Sequence, residues 1–183
     1  KDAGKKLVLL YKTIFSLYEH DPFYRGLFLF ALYGRRWNEI RTLKWENIDF
    51  LNNTYTISAE NNKISIDQTY ELPAPIAEAL SHLKSKGGLV FESPITNQEL
   101  FTPKKQLLKI KEASQIEELT MHYFRHILVS AMGEMGTAST ILSASLGHTN
   151  LDTVNQYYLS ANHTKASGVA NLAIEQITHT EKE

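Results

Sequence analysis

One stretch of this chain has the residue content of a sheet while the rest repeats in the manner of helices, and that contrast limits the folds open to it. Thr54-Tyr55-Thr56-Ile57-Ser58 carries the β-branched and aromatic side chains that suit a pleated strand. Glu60-Asn61-Asn62 has turn chemistry, and residues 64–72 read as the returning strand, closed by Pro73. Residues 47–50 supply a third, short strand. Before and after this block the apolar spacing predicts helices over residues 5–19, 22–33, 37–43, 75–86, 98–111, 121–134, 138–146, 151–160 and 164–178. Gly87-Gly88 and Pro94 mark loops. The expected fold is mainly α with a small three-stranded antiparallel β-sheet, an α+β arrangement in a single domain over 1–183.

Six side chains, scattered over that pattern, form one chemically coherent set: Arg36, Lys63, His122, Arg125, His148 and Tyr157. Two arginines, two histidines and a lysine around one tyrosine suit the holding of a phosphodiester while a phenolic oxygen attacks it. Thr120 reads as a helix N-cap, with an apolar series following at Phe124, Ile127, Leu128 and Ala131. His122 and Arg125, three apart, then share a helix face near an end that favours anions. Gly147 reads as the residue that closes a helix, which puts His148 in a tight inter-helix turn and Tyr157 on the next helix.

Each residue also has a plainer reading. Arg36, taken alone, is a surface arginine on an amphipathic helix. Arg35 is read as such a residue, and Arg36 is preferred to it by its spacing to Gly34 and Glu39. Glu39 is either a buried partner orienting an arginine or a solvated helix charge. His122 and His126 are four apart, but the glutamate of a His-Glu-x-x-His metal motif is missing. His126 is expected to be buried with a structural hydrogen bond. Tyr158 points about 100° away from Tyr157 on a helix, so only one of them can face a common site.

The ordered motifs add a resemblance. Gly34-Arg35-Arg36-Trp37-Asn38-Glu39, then His122-Tyr123-Phe124-Arg125, then Leu146-Gly147-His148 with Tyr157 nine residues beyond, resemble the catalytic domain of the tyrosine recombinases, the phage-integrase and Xer-like family. The resemblance runs from about residue 23 to about residue 172. It implies Lys63 as the hairpin lysine; Lys63 stands nine residues before Leu72 and is the only lysine between Lys44 and Lys84. Two family positions that commonly hold threonine are Ile127 and Val154 here.

The resemblance also implies a mechanism. Tyr157 would form a 3′-phosphotyrosyl bond with DNA and free a 5′-hydroxyl, and a second 5′-hydroxyl would reseal the backbone. Forming a phenolate at pH 7 costs about 4 kcal/mol, given a tyrosine pKa near 10. Arg36 and Arg125 suit the phosphoryl charge because a guanidinium binds two oxygens at once and stays protonated. His148 can add a hydrogen bond, Lys63 can protonate the leaving oxygen, and His122 is the candidate base. No metal and no nucleotide cofactor is expected.

Composition fits this reading loosely. The chain has 183 residues, 43% of them hydrophobic, no cysteine and a net charge of −1. A reducing, cytoplasmic setting of bacterial or phage origin is compatible, and no run is apolar enough to span a membrane. Neutral net charge argues mildly against DNA binding, so positive charge must be local, at Arg35, Arg36, Arg41 and Lys44 and at Lys104, Lys105, Lys109 and Lys111. The resemblance implies double-stranded DNA as partner and a tetramer on paired sites, monomeric when free. It also implies a preceding DNA-clamping domain, so a chain beginning at Lys1 is expected to be part of a longer protein. The tail, 162–183, reads as an amphipathic helix with Val169, Leu172, Ala173 and Ile177 inward, packing on its own core or docking on a neighbouring protomer. Two other functions share these features: type IB topoisomerase-like relaxation, and DNA binding without catalysis.

Overall fold

A computed structural model of the protein describes residues 2–62, 65–83, 85–135, 137, 139–147 and 153–180, with backbone alone at 139 and 153–165. Three helices come first, α1 (Ala3–Leu17), α2 (Pro22–Leu32) and α3 (Trp37–Arg41). Asp21 starts α2 by accepting the Tyr24 amide at 3.2 Å, with Pro22 pre-set for the first turn. Every residue of α2 from Arg25 to Leu32 is buried. A helix apolar on all sides belongs in the middle of a domain. Accordingly α1, α4 (Ala74–Ser81) and α6 (Tyr123–Glu134) pack round it.

Three strands follow α3: β1 (Ile48–Asp49), β2 (Thr54–Ile57) and β3 (Gln68–Glu71), antiparallel and in that order across the sheet. Tyr55 stands opposite Tyr70, and their rings stack at 5.5 Å. Alternation puts Tyr55, Ile57, Gln68 and Tyr70 on the buried face. Phe30 of α2 meets Tyr55 edge-on at 5.1 Å, so the sheet is keyed to the central helix by aromatic contacts.

The remaining helices are α5 (Lys104–Ser114), α7 (Ser139–Ser145) and α8 (Thr153–His179). α5 begins six residues later than the sequence suggests. Pro103 disfavours helix in the residue before it, so the helix starts directly after the proline. α8 is one helix of 27 residues, where two were expected. No proline interrupts it. Its inward stripe is also different: Ala166, Ala170, Ala173 and Ile174 are buried, while Val169 and Leu172 are exposed. Small residues on that stripe let α8 come close to β3. The Ser167 hydroxyl accepts the Glu71 amide at 2.6 Å, satisfying a backbone donor of that edge strand. No helix among the described residues is long and apolar enough to cross a membrane.

Candidate active site

The first motif begins where α2 ends. Gly34 has φ +96°, its amide donates to Ala31 O, and the Arg35 amide reaches back to Phe30 O, both at 3.0 Å. This pair of bonds is a Schellman closure, which needs a residue tolerant of positive φ. Glycine is needed for space as well, since a Cβ here would lie 3.0 Å from Leu128 and Leu146. The chain then turns into α3, where the Arg36 amide donates to Glu39 Oε1 at 2.8 Å. The Arg36 guanidinium also lies 3.7 Å from Glu39 Oε2. Glu39 is only 2% exposed, so of its two readings it is the buried orienting partner.

The second motif opens α6. Thr120 Oγ1 accepts the Tyr123 amide at 3.1 Å, which gives the threonine its expected capping contact although the helix starts at Tyr123. Arg125, 3% exposed, donates through Nη1 to Gly34 O at 2.6 Å and through Nη2 to Leu146 O at 2.7 Å. One guanidinium therefore ties the first motif to the third. Burial, then the neighbouring Arg36 and Arg35 charges, push its pKa down to about 9, which leaves it protonated at neutral pH.

The third motif closes α7. Gly147 has φ +66° and donates to Ala144 O at 3.1 Å. A Cβ on it would stand 2.6 Å from Tyr70 Oη and 2.9 Å from Gln68 Nε2. The turn before His148 is thus pressed against β3 with no room for a side chain.

These segments surround a cleft of about 420 Å³ lined by Arg36, His122, Arg125, His126, Val129, Leu142, Ser143 and Leu146. The lining joins two arginines and two histidines to the apolar Val129, Leu142 and Leu146. Two guanidiniums share this cleft, with Glu39 the one carboxylate buried against them among the described residues. Paired guanidiniums have the geometry to bind an anion with several oxygens.

The family model described as "Phage integrase family" matches residues 10–164. The chain belongs to the phage integrase family. Among solved structures, the integrase from mycobacterium phage Brujita is similar, with a TM-score of 0.66 and 20% sequence identity over 93% of this chain and 56% of that one. At that identity the likeness is one of fold, and this chain spans little more than half the length of the solved protein. No curated protein sequence matches it.

Within this integrase-family domain, Arg36, His122 and Arg125 line a single cleft. Lys63 and His148 lie outside the described residues, and Tyr157 lies in the first two turns of α8, where the backbone alone is described.

Two expectations are corrected. His126 is exposed and its ring stacks on Tyr123 at 5.7 Å, not buried in the core. Four residues from His122, it shares that outward face, while Phe124, Ile127 and Leu128 take the inward one. Arg35 is not a surface residue: it is 2% exposed, lies 3.7 Å above the Tyr70 ring and donates to Ser145 O at 2.6 Å. Burial works against its charge, but the Tyr55 and Tyr70 hydroxyls and the Glu39 carboxylate outweigh it and hold its pKa above the usual range. A signal was present in the sequence. The residue after a Schellman glycine folds back on its own helix, so its side chain points inward. The basic clusters also divide. Arg41 is engaged by Glu99 and by Asn38 Oδ1, whereas Lys44, Lys104, Lys105 and Lys109 remain exposed.

Proposed function

We propose that this domain carries out site-specific recombination of double-stranded DNA by cutting and rejoining strands through a 3′-phosphotyrosyl intermediate. The observation that carries the reading is the cleft itself, in which Arg36 and Arg125 present guanidiniums beside His122. The Tyr157 oxygen attacks the scissile phosphorus and the bond to the 5′ oxygen breaks. Lys63 gives that oxygen its proton as general acid, and His122 serves as the base for the phenol. Arg36, Arg125 and His148 hold the non-bridging oxygens, whose charge grows as the phosphorus becomes five-coordinate. A 5′-hydroxyl from another strand reverses the step, so the energy of the broken bond is conserved and no nucleotide is consumed.

Four copies acting on two paired sites suit an exchange in which two duplexes are cut, with the chain monomeric away from DNA. A reducing cytoplasm in a bacterium, on a phage or another mobile element, suits a chain without cysteine. Neither the topoisomerase reading nor the purely DNA-binding one has an observation of its own in its favour.

The test is covalent trapping on a pool of nicked duplexes of randomised sequence, in which cleavage releases a short strand and cannot be reversed. An adduct stable to denaturant with the unaltered chain, absent with Tyr157→Phe, supports the reading. Tight DNA binding with no adduct would leave a binding module in its place.

A further inference from the structure

The last residue of α7 and the one after it have their carbonyls gripped by different guanidiniums. Arg35 Nη2 donates to Ser145 O at 2.6 Å, and Arg125 Nη2 donates to Leu146 O at 2.7 Å. The next residue, Gly147, backs onto Tyr70, and Tyr70 is the ring on which the Arg35 guanidinium lies. Tyr70 in turn donates to Gln68 Oε1 at 3.1 Å, and Gln68 is the other group against Gly147. Arg35 is therefore joined to the end of α7 directly, through the Ser145 carbonyl, and to the Gly147 turn through the ring that blocks the glycine.

Stability is a weak reason for a charge here, since much of what the neighbouring tyrosines and Glu39 contribute goes to offset the burial of the guanidinium. The position after a Schellman glycine frequently holds an apolar contact with the preceding helix, and a packed hydrophobe of equal size often stabilises as well as a buried charge. No carboxylate among the described residues forms an ion pair with Arg35. What the arginine supplies that leucine or methionine cannot is a directed donor to Ser145 O and a fixed positive charge felt by Arg125.

We infer that Arg35 is a positioning residue that acts on DNA cleavage by fixing the α7 terminal turn that leads to His148. This rests on the proposed function, because the turn matters only if His148 acts on a phosphate. Cations at a helix C-terminus are favourable and bond its last carbonyls, so Arg35 and Arg125 together set where α7 stops. Arg125 faces the cleft and Arg35 does not line it, so the two share a task in the backbone and differ at the ligand.

The test compares Arg35→Lys, which keeps the buried charge, with Arg35→Met, which removes it. A lysine cannot lie flat on Tyr70 and reach Ser145 O together, since it offers a point charge in place of a planar fork. Single-turnover cleavage of a nicked duplex drawn from the trapping pool should fall about tenfold or more in Arg35→Met, with Arg35→Lys between it and the unaltered chain, because small misplacements of catalytic groups carry costs of about that size. The dissociation constant for the same duplex should stay within about twofold, since Arg35 touches no phosphate. The His148 ring resonance, assigned by its loss in His148→Ala, should move in both variants without DNA. Unchanged cleavage in Arg35→Met, or a rate loss matched by an equal loss of DNA affinity, overturns the inference. Failure of both variants to fold does so too, because the arginine would then serve the core alone. If the unaltered chain forms no adduct, it is the proposed function that fails, and an unmoved His148 resonance would count separately against Arg35.

Discussion

The Arg125 guanidinium donates to the carbonyl of Gly34 at 2.6 Å across 91 residues of sequence, and its other terminal nitrogen holds Leu146 O. The arginine of the second motif is thereby a structural link between the first and third, besides facing the cleft.

Arg125→Lys tests that link. A lysine ammonium cannot span both carbonyls, so one buried acceptor is left unmatched. The expected loss is about 1–3 kcal/mol of unfolding free energy, read by urea denaturation. Stability equal to the unaltered chain would mean that the two bonds are not held together in solution.

Gly147→Ala should be costly for two separable reasons. Positive φ disfavours alanine by about 1 kcal/mol. The new Cβ would also collide with Tyr70 Oη at 2.6 Å. Tyr70→Phe removes that oxygen, so the double variant should recover part of the loss and leave the backbone strain in place. Additive effects in the double-mutant cycle would contradict the contact.

Gly168→Ala should behave in the opposite way. Its Cβ would meet only Glu71 Oε2 at 2.5 Å, the end of an exposed, flexible side chain. Alanine favours the helix interior by about 1 kcal/mol over glycine. Thermal unfolding should show no loss or a slight gain; a loss as large as that of Gly147→Ala would mean that α8 lies closer to β3 than described.

How much of this was legible in sequence varies with the range of the forces involved. The sheet block and the helix order were legible because strand-type residue content and three-to-four spacing are local. Gly147 was legible as a helix closer for the same reason, whereas the closing role of Gly34 came from the structure. The unbroken run of α8 was not, because Asn162 has a turn preference that reads locally as a break, and the packing of α8 on α7 and β3 overrides it. Arg35 was misread because its partners, Tyr70 and Ser145, are 35 and 110 residues away. The glycine before Arg35 signals locally that the side chain turns inward, but nothing local names the ring and the carbonyl it meets there. Arg36 was legible by its motif spacing, which reflects a short local turn with Glu39.

The buried tyrosines predict an alkaline limit. Burial raises Tyr33, Tyr55 and Tyr70 above their usual range and lifts Tyr18 to about 12. Raised values in the fold mean that the neutral phenol is the stabilised form. That contribution is intact below about pH 10, where unfolded tyrosine ionises, and is lost as pH rises toward 12 and beyond. In an alkaline titration, tyrosinate absorbance should grow in two steps, the second coinciding with loss of helical circular dichroism. All nine tyrosines ionising near pH 10 with the helices intact would contradict the burial.

The central claim is that one phenol among nine tyrosines takes up DNA at a cationic cleft. Protease digestion of the trapped adduct followed by mass spectrometry of the DNA-linked peptide tests it most directly. The account predicts a phosphodiester on Tyr157, lost in Tyr157→Phe and much slowed in Arg125→Lys. Linkage to Tyr158 or to any other residue, or an adduct that survives Tyr157→Phe, would contradict it.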